Sequence, residues 1–282
     1  MNKNLKVGFI GQGFIGKNLA NNFERRGFKN VVRYSLEKEY IKNKNKIEDC
    51  DVVFIAVPTP TTADGFNCEI VSEALDLVGS GKIAVIKSTI TPQTAGEFSD
   101  IYYDKYILHS PEFLDESTAD VDTDYPERNV IGIPTINMGE YYDAARLVMD
   151  ILPKAKHDLI TRYNEASLIK YGGNCFFYMK NMFFNTLNDL CKFYKVDYDI
   201  VRDFITKDPR IHPVHTNIIH KGGRGAGGDC LIKDFATFAA MCAQLEDPTI
   251  DTMLQGAQAK NITLLINSKK DIDILEGVYG KF

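Results

Sequence analysis

The sequence predicts an α/β protein: a Rossmann-type, doubly wound, mostly parallel sheet over residues 1–157, followed by an all-α domain over 158–282 built on one long helix. Three observations carry this expectation. Short apolar runs rich in Val and Ile alternate with amphipathic stretches through the first half. A glycine-patterned turn follows the first of those runs, and the second half gives up strand patterning for sustained helical spacing.

Taken in order, "LKVGFI", "NVVRY", "DVVFIAV", "KIAVIK", "KYILHS" and "NVIGI" read as strands. They are apolar on both faces, as parallel strands covered by helices on both sides must be. "GKNLANNFERRG" and "EIVSEALDLVGSG" read as helices between them. From near Asp158, "TRYNEASLIKYGGNCFFYMKNMFFNTLNDLCKFYKV" keeps helical spacing, and further helices are expected around 197–207, 230–245 and 248–268, with no strand among them. The tail "DIDILEGVYGKF" carries little to anchor it and is expected to be mobile.

Composition narrows the function classes. A net charge of −5 with well-mixed signs marks neither a nucleic-acid nor a membrane surface. No apolar run approaches the roughly 20 residues of a membrane helix. The N-terminal "MNKNLKVGFIGQG" enters a strand pattern directly, which points to a cytoplasmic protein. The six cysteines (50, 68, 175, 191, 230, 242) form no CxxC pair, so neither a metal site nor a disulfide framework is expected, and at least five read as buried thiols.

"VGFIGQGFIGKNLA" sets Gly11, Gly13 and Gly16 in G-x-G-x-x-G spacing between a strand and a helix. Gly11 allows a tight turn, Gly13 lets a pyrophosphate reach the backbone, and Gly16 lets helix and strand pack closely. The helix N-terminus at Phe14 and Ile15 offers free N–H groups to the phosphates. The acidic residue that ordinarily binds the adenosine ribose is absent: "NVVRYSLEKEY" places Ser35 there, with Arg33 before it and Glu37 after it. The missing carboxylate leaves NAD versus NADP open at this position, and the expected cofactor is NAD with NADP not excluded.

Four-residue spacings recur among the chemical residues. Lys170 and Asn174 share one face of the long helix. Glu112 and Glu116 in "SPEFLDES" could divide acid and base roles. Cys230 and Asp234 open a helix after five glycines in "HKGGRGAGGDC". A thiol at a helix N-terminus gains nucleophilicity. Most cysteines are small core hydrophobes, but that glycine loop suggests close backbone approach beside this one.

In sequence order, the glycine loop, "FIAVPTPTTADG", "KSTITP", "SPEFLDES", "LIKYGGN", "DPRI" and "GAGGDCLIKD" together resemble the UDP-glucose/GDP-mannose dehydrogenase family over nearly the whole chain. The resemblance implies oxidation of a nucleotide-sugar C6 alcohol to a carboxylate with two nicotinamide cofactors in succession. It implies Cys230 as the nucleophile, Lys170 and Asn174 on the C6 oxygen, and Glu116, Asp234 and Thr89 on water and protons, with Glu112 beside them. Pro58, Thr59, Ser35, Thr89 and Glu116 would line the cofactor cleft. Glu112, Phe113, Leu114, Lys170, Asn174, Arg210, Gly227 and Gly228 would contact substrate, Arg210 reaching in from a partner subunit. Family members continue into a second α/β domain that binds the nucleotide, whereas this sequence stops soon after the helix at 248–268, so the match is to a short form. Two other readings stay open: a two-electron dehydrogenase of a smaller hydroxy acid or sugar acid, and a non-catalytic assembly subunit. The apolar "CFFYMKNMFF" predicts a homodimer through the long helix.

Overall fold

The computed structural model describes residues 3–136 and 139–281. The chain divides into two compact units, Met1–Thr59 with Asn67–Lys170, and Pro60–Phe66 with Tyr171–Phe282.

In the first unit the apolar runs become β1 (Lys6–Ile10), β2 (Asn30–Tyr34), β3 (Val52–Ile55), β6 (Ile83–Ile86), β7 (Tyr106–His109), β8 (Arg128–Ile133) and β9 (His157–Arg162); β4 (Thr61–Thr62) and β5 (Gly65–Phe66) pair separately in the second unit. The sheet order is β2-β1-β3-β6-β7-β8-β9. β2 through β7 run parallel, β7 and β8 are antiparallel, and β8 and β9 are again parallel. The helices of this unit are α1 (Phe14–Arg25), α2 (Glu69–Leu75), α3 (Thr94–Ile101), α4 (Ala119–Asp124) and α5 (Gly139–Ile151).

The register explains the core. Phe9 lies opposite Phe54 across β1 and β3, and their rings stack at 5.3 Å. Phe23 of α1 meets Phe9 edge-on at 5.3 Å, because Gly16, Leu19, Ala20 and Phe23 recur on one face of α1 and are buried together. β1 has parallel neighbours on both sides, so its carboxyl end is the point where successive crossovers diverge, the usual ligand crevice of an open α/β sheet.

β9 corrects the sequence reading, which placed helix from Asp158 onward. Only Thr161 of its residues is buried, so an edge strand with so little burial left little apolar alternation to read. The long helix, α6 (Tyr163–Tyr194), begins immediately after it. Its first turn rests on β8 at Gly132, where a Cβ would come within 2.9 Å of Ala166.

The second unit contains the rest of α6, with α7 (Tyr198–Ile205), α8 (Asp229–Ala243), α9 (Pro248–Ser268) and α10 (Ile272–Tyr279). Tyr178 stacks on Phe235 at 3.8 Å within a cluster that includes Cys175, Met182, Leu254 and Leu264. The tail expected to be mobile is α10, anchored by Leu275 and Val278 against Ile232 and Leu265. Its two buried residues fall three apart, on one face, with Ile274 and Tyr279 packed beside them. Among the cysteines, Cys50, Cys175 and Cys191 are buried, Cys68 and Cys242 are half-buried and Cys230 is exposed, so fewer are core thiols than expected. Among the described residues no helix is long and apolar enough to cross a membrane.

Candidate active site

The glycine corner after β1 divides its work as its spacing predicts. Gly11 has φ +90°, and a Cβ there would fall 2.1 Å from the Ala56 carbonyl oxygen. A Cβ at Gly16 would fall 2.0 Å from the Gly11 carbonyl oxygen, whereas at Gly13 nothing stands within 4 Å. No side chain caps the start of α1, so its first N–H groups face that opening. An open backbone position before an uncapped helix N-terminus fits a pyrophosphate, and hence a dinucleotide. Phe14 is exposed and Ile15 half-buried beside it. Ser35 follows β2, its Oγ accepting from the Glu37 N–H at 3.3 Å. Arg33 turns back onto α1 instead, to Glu24 at 2.7 Å and Asn21 at 2.8 Å. Its guanidinium is therefore committed away from a ribose 2′-phosphate.

At the carboxyl end of β3, Pro58 is exposed and Thr59 is buried, its Oγ1 donating to the Thr89 carbonyl at 2.8 Å. Ser88 Oγ donates to the Val57 carbonyl at 2.6 Å, which ties the turns after β3 and β6 together. Sequence reasoning missed Lys87, which ends the apolar run of β6 yet is only 5% exposed. A buried lysine needs a counter-charge. Lys87 Nζ lies 3.2 Å from Glu112 Oε2 and donates to Ser110 Oγ at 3.3 Å. A lysine closing a wholly apolar strand was the available signal.

Glu112 joins two cations: its carboxylate meets Lys87, and its carbonyl accepts from Lys170 Nζ at 2.6 Å. Phe113 lies under the Arg128 guanidinium at 4.0 Å and within 5.8 Å of Lys170 Nζ; Leu114 follows, half-buried. Glu116 is exposed on a short 3-10 turn capped by Asp115. Deeper in the same unit His109 is fully buried, with Nδ1 3.1 Å from Ser167 Oγ and Nε2 unpartnered. Burial, aided by the nearby Lys87 charge, lowers its pKa to about 3, so it stays neutral.

In the second unit Asn174 Nδ2 donates to Asp234 Oδ2 at 2.6 Å, and Lys233 Nζ reaches Asp234 Oδ1 at 2.5 Å. Asp234 is 1% exposed, so these donors hold a buried carboxylate in place. Cys230 is the second residue of α8, one turn before Asp234, and is exposed. The glycines before it serve packing more than expected: at Gly227 the place of a Cβ is already taken by Asp271 Oδ2 at 2.0 Å. Gly228, with φ +80°, keeps open space. Arg210 is 86% exposed and paired with Asp208 at 2.6 Å.

Sequence models of the UDP-glucose/GDP-mannose dehydrogenase family match residues 28–146 as its NAD binding domain and 164–262 as its central domain. The first match begins after the glycine corner. A UDP-glucose 6-dehydrogenase of Rickettsia bellii is 32% identical over 214 residues, 71% of this chain and 48% of that one. The chain thus spans about half the length of the first curated relatives it matches. A solved UDP-glucose dehydrogenase from Pyrobaculum islandicum superposes with TM-score 0.76 at 23% identity, over 91% of this chain and 68% of that one. A 3-hydroxyisobutyrate dehydrogenase of Mycobacterium tuberculosis shares the fold at 16% identity and TM-score 0.72, over 98% of both chains.

Gly16→Ala is expected to lose cooperative folding or melt far below wild type, because its Cβ meets backbone. Gly13→Ala should melt like wild type yet bind NAD at least about fivefold more weakly. Thermal melts and calorimetric NAD titration check both; equal melting temperatures would refute the packing argument. His109 gives a pH prediction. Its folded pKa of about 3 lies below the ordinary value of 6.5, so the unfolded chain binds the proton first. Stability therefore falls as pH drops below about 6.5, by about 1.4 kcal/mol per pH unit from this group. Urea denaturation between pH 7.5 and 5 should show a shallower slope for His109→Gln; an unchanged slope would remove His109 as the cause.

Proposed function

This chain belongs to the UDP-glucose/GDP-mannose dehydrogenase family, and on that premise we propose that it oxidises the C6 hydroxyl of a nucleotide sugar, UDP-glucose to UDP-glucuronate, with NAD. The observation that carries the reading is the pairing of Asn174 with buried Asp234 one turn from an exposed thiol at the head of α8. In this reading residues 1–157 bind the cofactor, residues 158–282 dimerise and carry the thiol, and the protein is a cytoplasmic enzyme. Gly11, Gly13, Phe14, Ile15 and Gly16 hold the pyrophosphate, and Ser35, Pro58, Thr59, Thr89 and Glu116 line the rest of the cleft. The engagement of Arg33 with Glu24 favours NAD over NADP.

NAD, held at the glycine corner, would supply the hydride acceptor for two successive two-electron oxidations at C6, one cofactor molecule for each. The Cys230 thiolate adds to the aldehyde carbon after the first oxidation, forming a C–S bond while the oxygen takes a proton. The captured thiohemiacetal cannot escape. Loss of hydride and a proton leaves a thioester on Cys230. Water then attacks the thioester carbon, the C–S bond breaks, and carboxylate and thiol are released. Lys170 and Asn174 stabilise charge on the C6 oxygen. One Nδ2 hydrogen of Asn174 is committed to Asp234, which leaves the second for substrate. Glu116, Asp234 and Thr89 position water and accept protons, assisted by Glu112. Phe113, Leu114, Arg210, Gly227 and Gly228 contact the sugar nucleotide.

Assembly follows from the outer face of α6. Phe176, Phe183 and Leu190 are 62%, 61% and 51% exposed and fall seven residues apart, which is one stripe of a helix. Ile200 and Phe204 of α7 are 70% and 81% exposed. So much exposed aromatic and aliphatic surface supports a second copy as its cover. The whole-length likeness to a 3-hydroxyisobutyrate dehydrogenase supports a second reading, a two-electron oxidation that needs Lys170 but no thiol.

Incubation with UDP-glucose and NAD should yield two reduced cofactors per sugar. Cys230→Ser should cut carboxylate formation by at least about 10³-fold. Unimpaired Cys230→Ser turnover would favour the two-electron reading, and no turnover with any UDP- or GDP-sugar despite NAD binding would sink the nucleotide-sugar assignment. Light scattering should report a dimer for wild type and a monomer for Phe183→Glu; a wild-type monomer at tens of micromolar would overturn the assembly.

A further inference from the structure

The loop before Cys230 is shaped by the corner between α9 and α10. At three of its glycines the space of a Cβ is already filled by the end of α9 or by that corner. At Gly223 a Cβ would meet Ser268 Cβ at 2.8 Å, at Gly225 it would meet Asn261 Oδ1 at 2.9 Å, and at Gly227 it would meet Asp271 Oδ2 at 2.0 Å. The same groups bind the loop's backbone. Arg224 N–H donates to Ser268 Oγ at 2.9 Å, and Asn261 takes both the N–H and the carbonyl of Ala226, at 2.7 and 2.9 Å. Lys270 Nζ donates to the Gly225 carbonyl at 3.0 Å, and Asp271 Oδ2 accepts from the Gly228 N–H at 2.7 Å. Gly228 is the N-cap of α8, two residues before the thiol.

Two features single out Lys270 and Asp271. Lys270 is a charged side chain only 6% exposed, a costly group to bury for packing alone. Lys269 and Asp271, on either side of it, hold φ of 52° and 51°, left-handed values that non-glycine residues adopt at a cost. The corner accepts burial and strain, and its charged atoms end on backbone groups of the thiol loop.

We propose that Lys270 and Asp271 are positioning residues for Cys230: by fixing the Gly225 carbonyl and the Gly228 N–H they set where α8 begins and hence how its first turn presents the thiol. The proposal rests on the reading of Cys230 as nucleophile. Asp271 fixes the cap residue and Lys270 the strand of loop leading to it. Their removal frays the first turn of α8, and the thiol loses the helix N-terminus that assists its ionisation. Cys175, Tyr178 and Phe235 share a cluster with Met182, Leu254 and Leu264 as well as Ala226 of the loop, and neither Lys270 nor Asp271 is part of it, so the packing under α8 outlasts their removal.

Alkylation by iodoacetamide, with each cysteine quantified by peptide mass spectrometry, tests this without any substrate. In Asp271→Ala and Lys270→Met, the Cys230 rate near pH 7 should fall at least about threefold and its pH profile should move to higher pH. Buried Cys50, Cys175 and Cys191 should stay protected. Asp271→Asn retains an oxygen acceptor for the Gly228 N–H and should return the Cys230 rate to within about twofold of wild type. An unchanged Cys230 rate in both disruptive variants would overturn the proposal, as would all thiols becoming reactive together, which marks general unfolding. Turnover assayed in parallel separates the two ideas: a wild type inert with nucleotide sugars defeats the reaction, while alkylation still decides the role of the corner.

Discussion

Two stretches of backbone can meet only where no Cβ stands between them, and the cofactor corner and the thiol loop both depend on that exclusion. At the head of α1 the carbonyl of Gly11 occupies the space that a side chain at residue 16 would need. At the head of α8 the carboxylate of Asp271 occupies the space of a side chain at residue 227. In each case the close approach fixes where a helix starts, and with it the direction of the unpaired N–H groups at its first turn. The rest of each unit, stacked phenylalanines under α1 and Tyr178 on Phe235 under α8, keeps those helices from shifting.

The first unit adds a buried electrostatic layer. Lys87 neutralises the Glu112 carboxylate, and the same residue's carbonyl receives Lys170. The Glu112 carboxylate also accepts from the Phe113 N–H at 2.9 Å, so its two oxygens are held from two sides and need little rearrangement, which is how fixed groups outperform water. His109 stays neutral within this layer and so adds no third positive charge next to Lys87.

Much of this was legible in the sequence because the physics is local. Glycine spacing declares a turn and a helix start, apolar runs declare buried strands, and a Lys–Asn pair four apart declares one helix face. What escaped depends on partners distant in the chain. β9 is an edge strand that buries little, so it lacked apolar alternation. α10 is held by Leu275 and Val278 against residues of α8 and α9, which nothing in the tail announces. The direction taken by Arg33 depends on Glu24, and the meaning of Gly227 depends on Asp271, 44 positions later. A glycine without a Cβ reads the same whether a ligand or the protein itself fills the gap.

The exposed stripe on α6 constrains whatever covers it. Its residues repeat every seven positions, whereas a straight helix repeats every 3.6, so the stripe drifts about 20° round the axis per heptad. Between Phe176 and Leu190 that amounts to about 40°. A straight helix lying parallel to α6 would lose contact with one end of the stripe. Any covering element must cross at a shallow angle or wind with a left-handed sense, so the handedness of such a cover is already written in the spacing of three side chains.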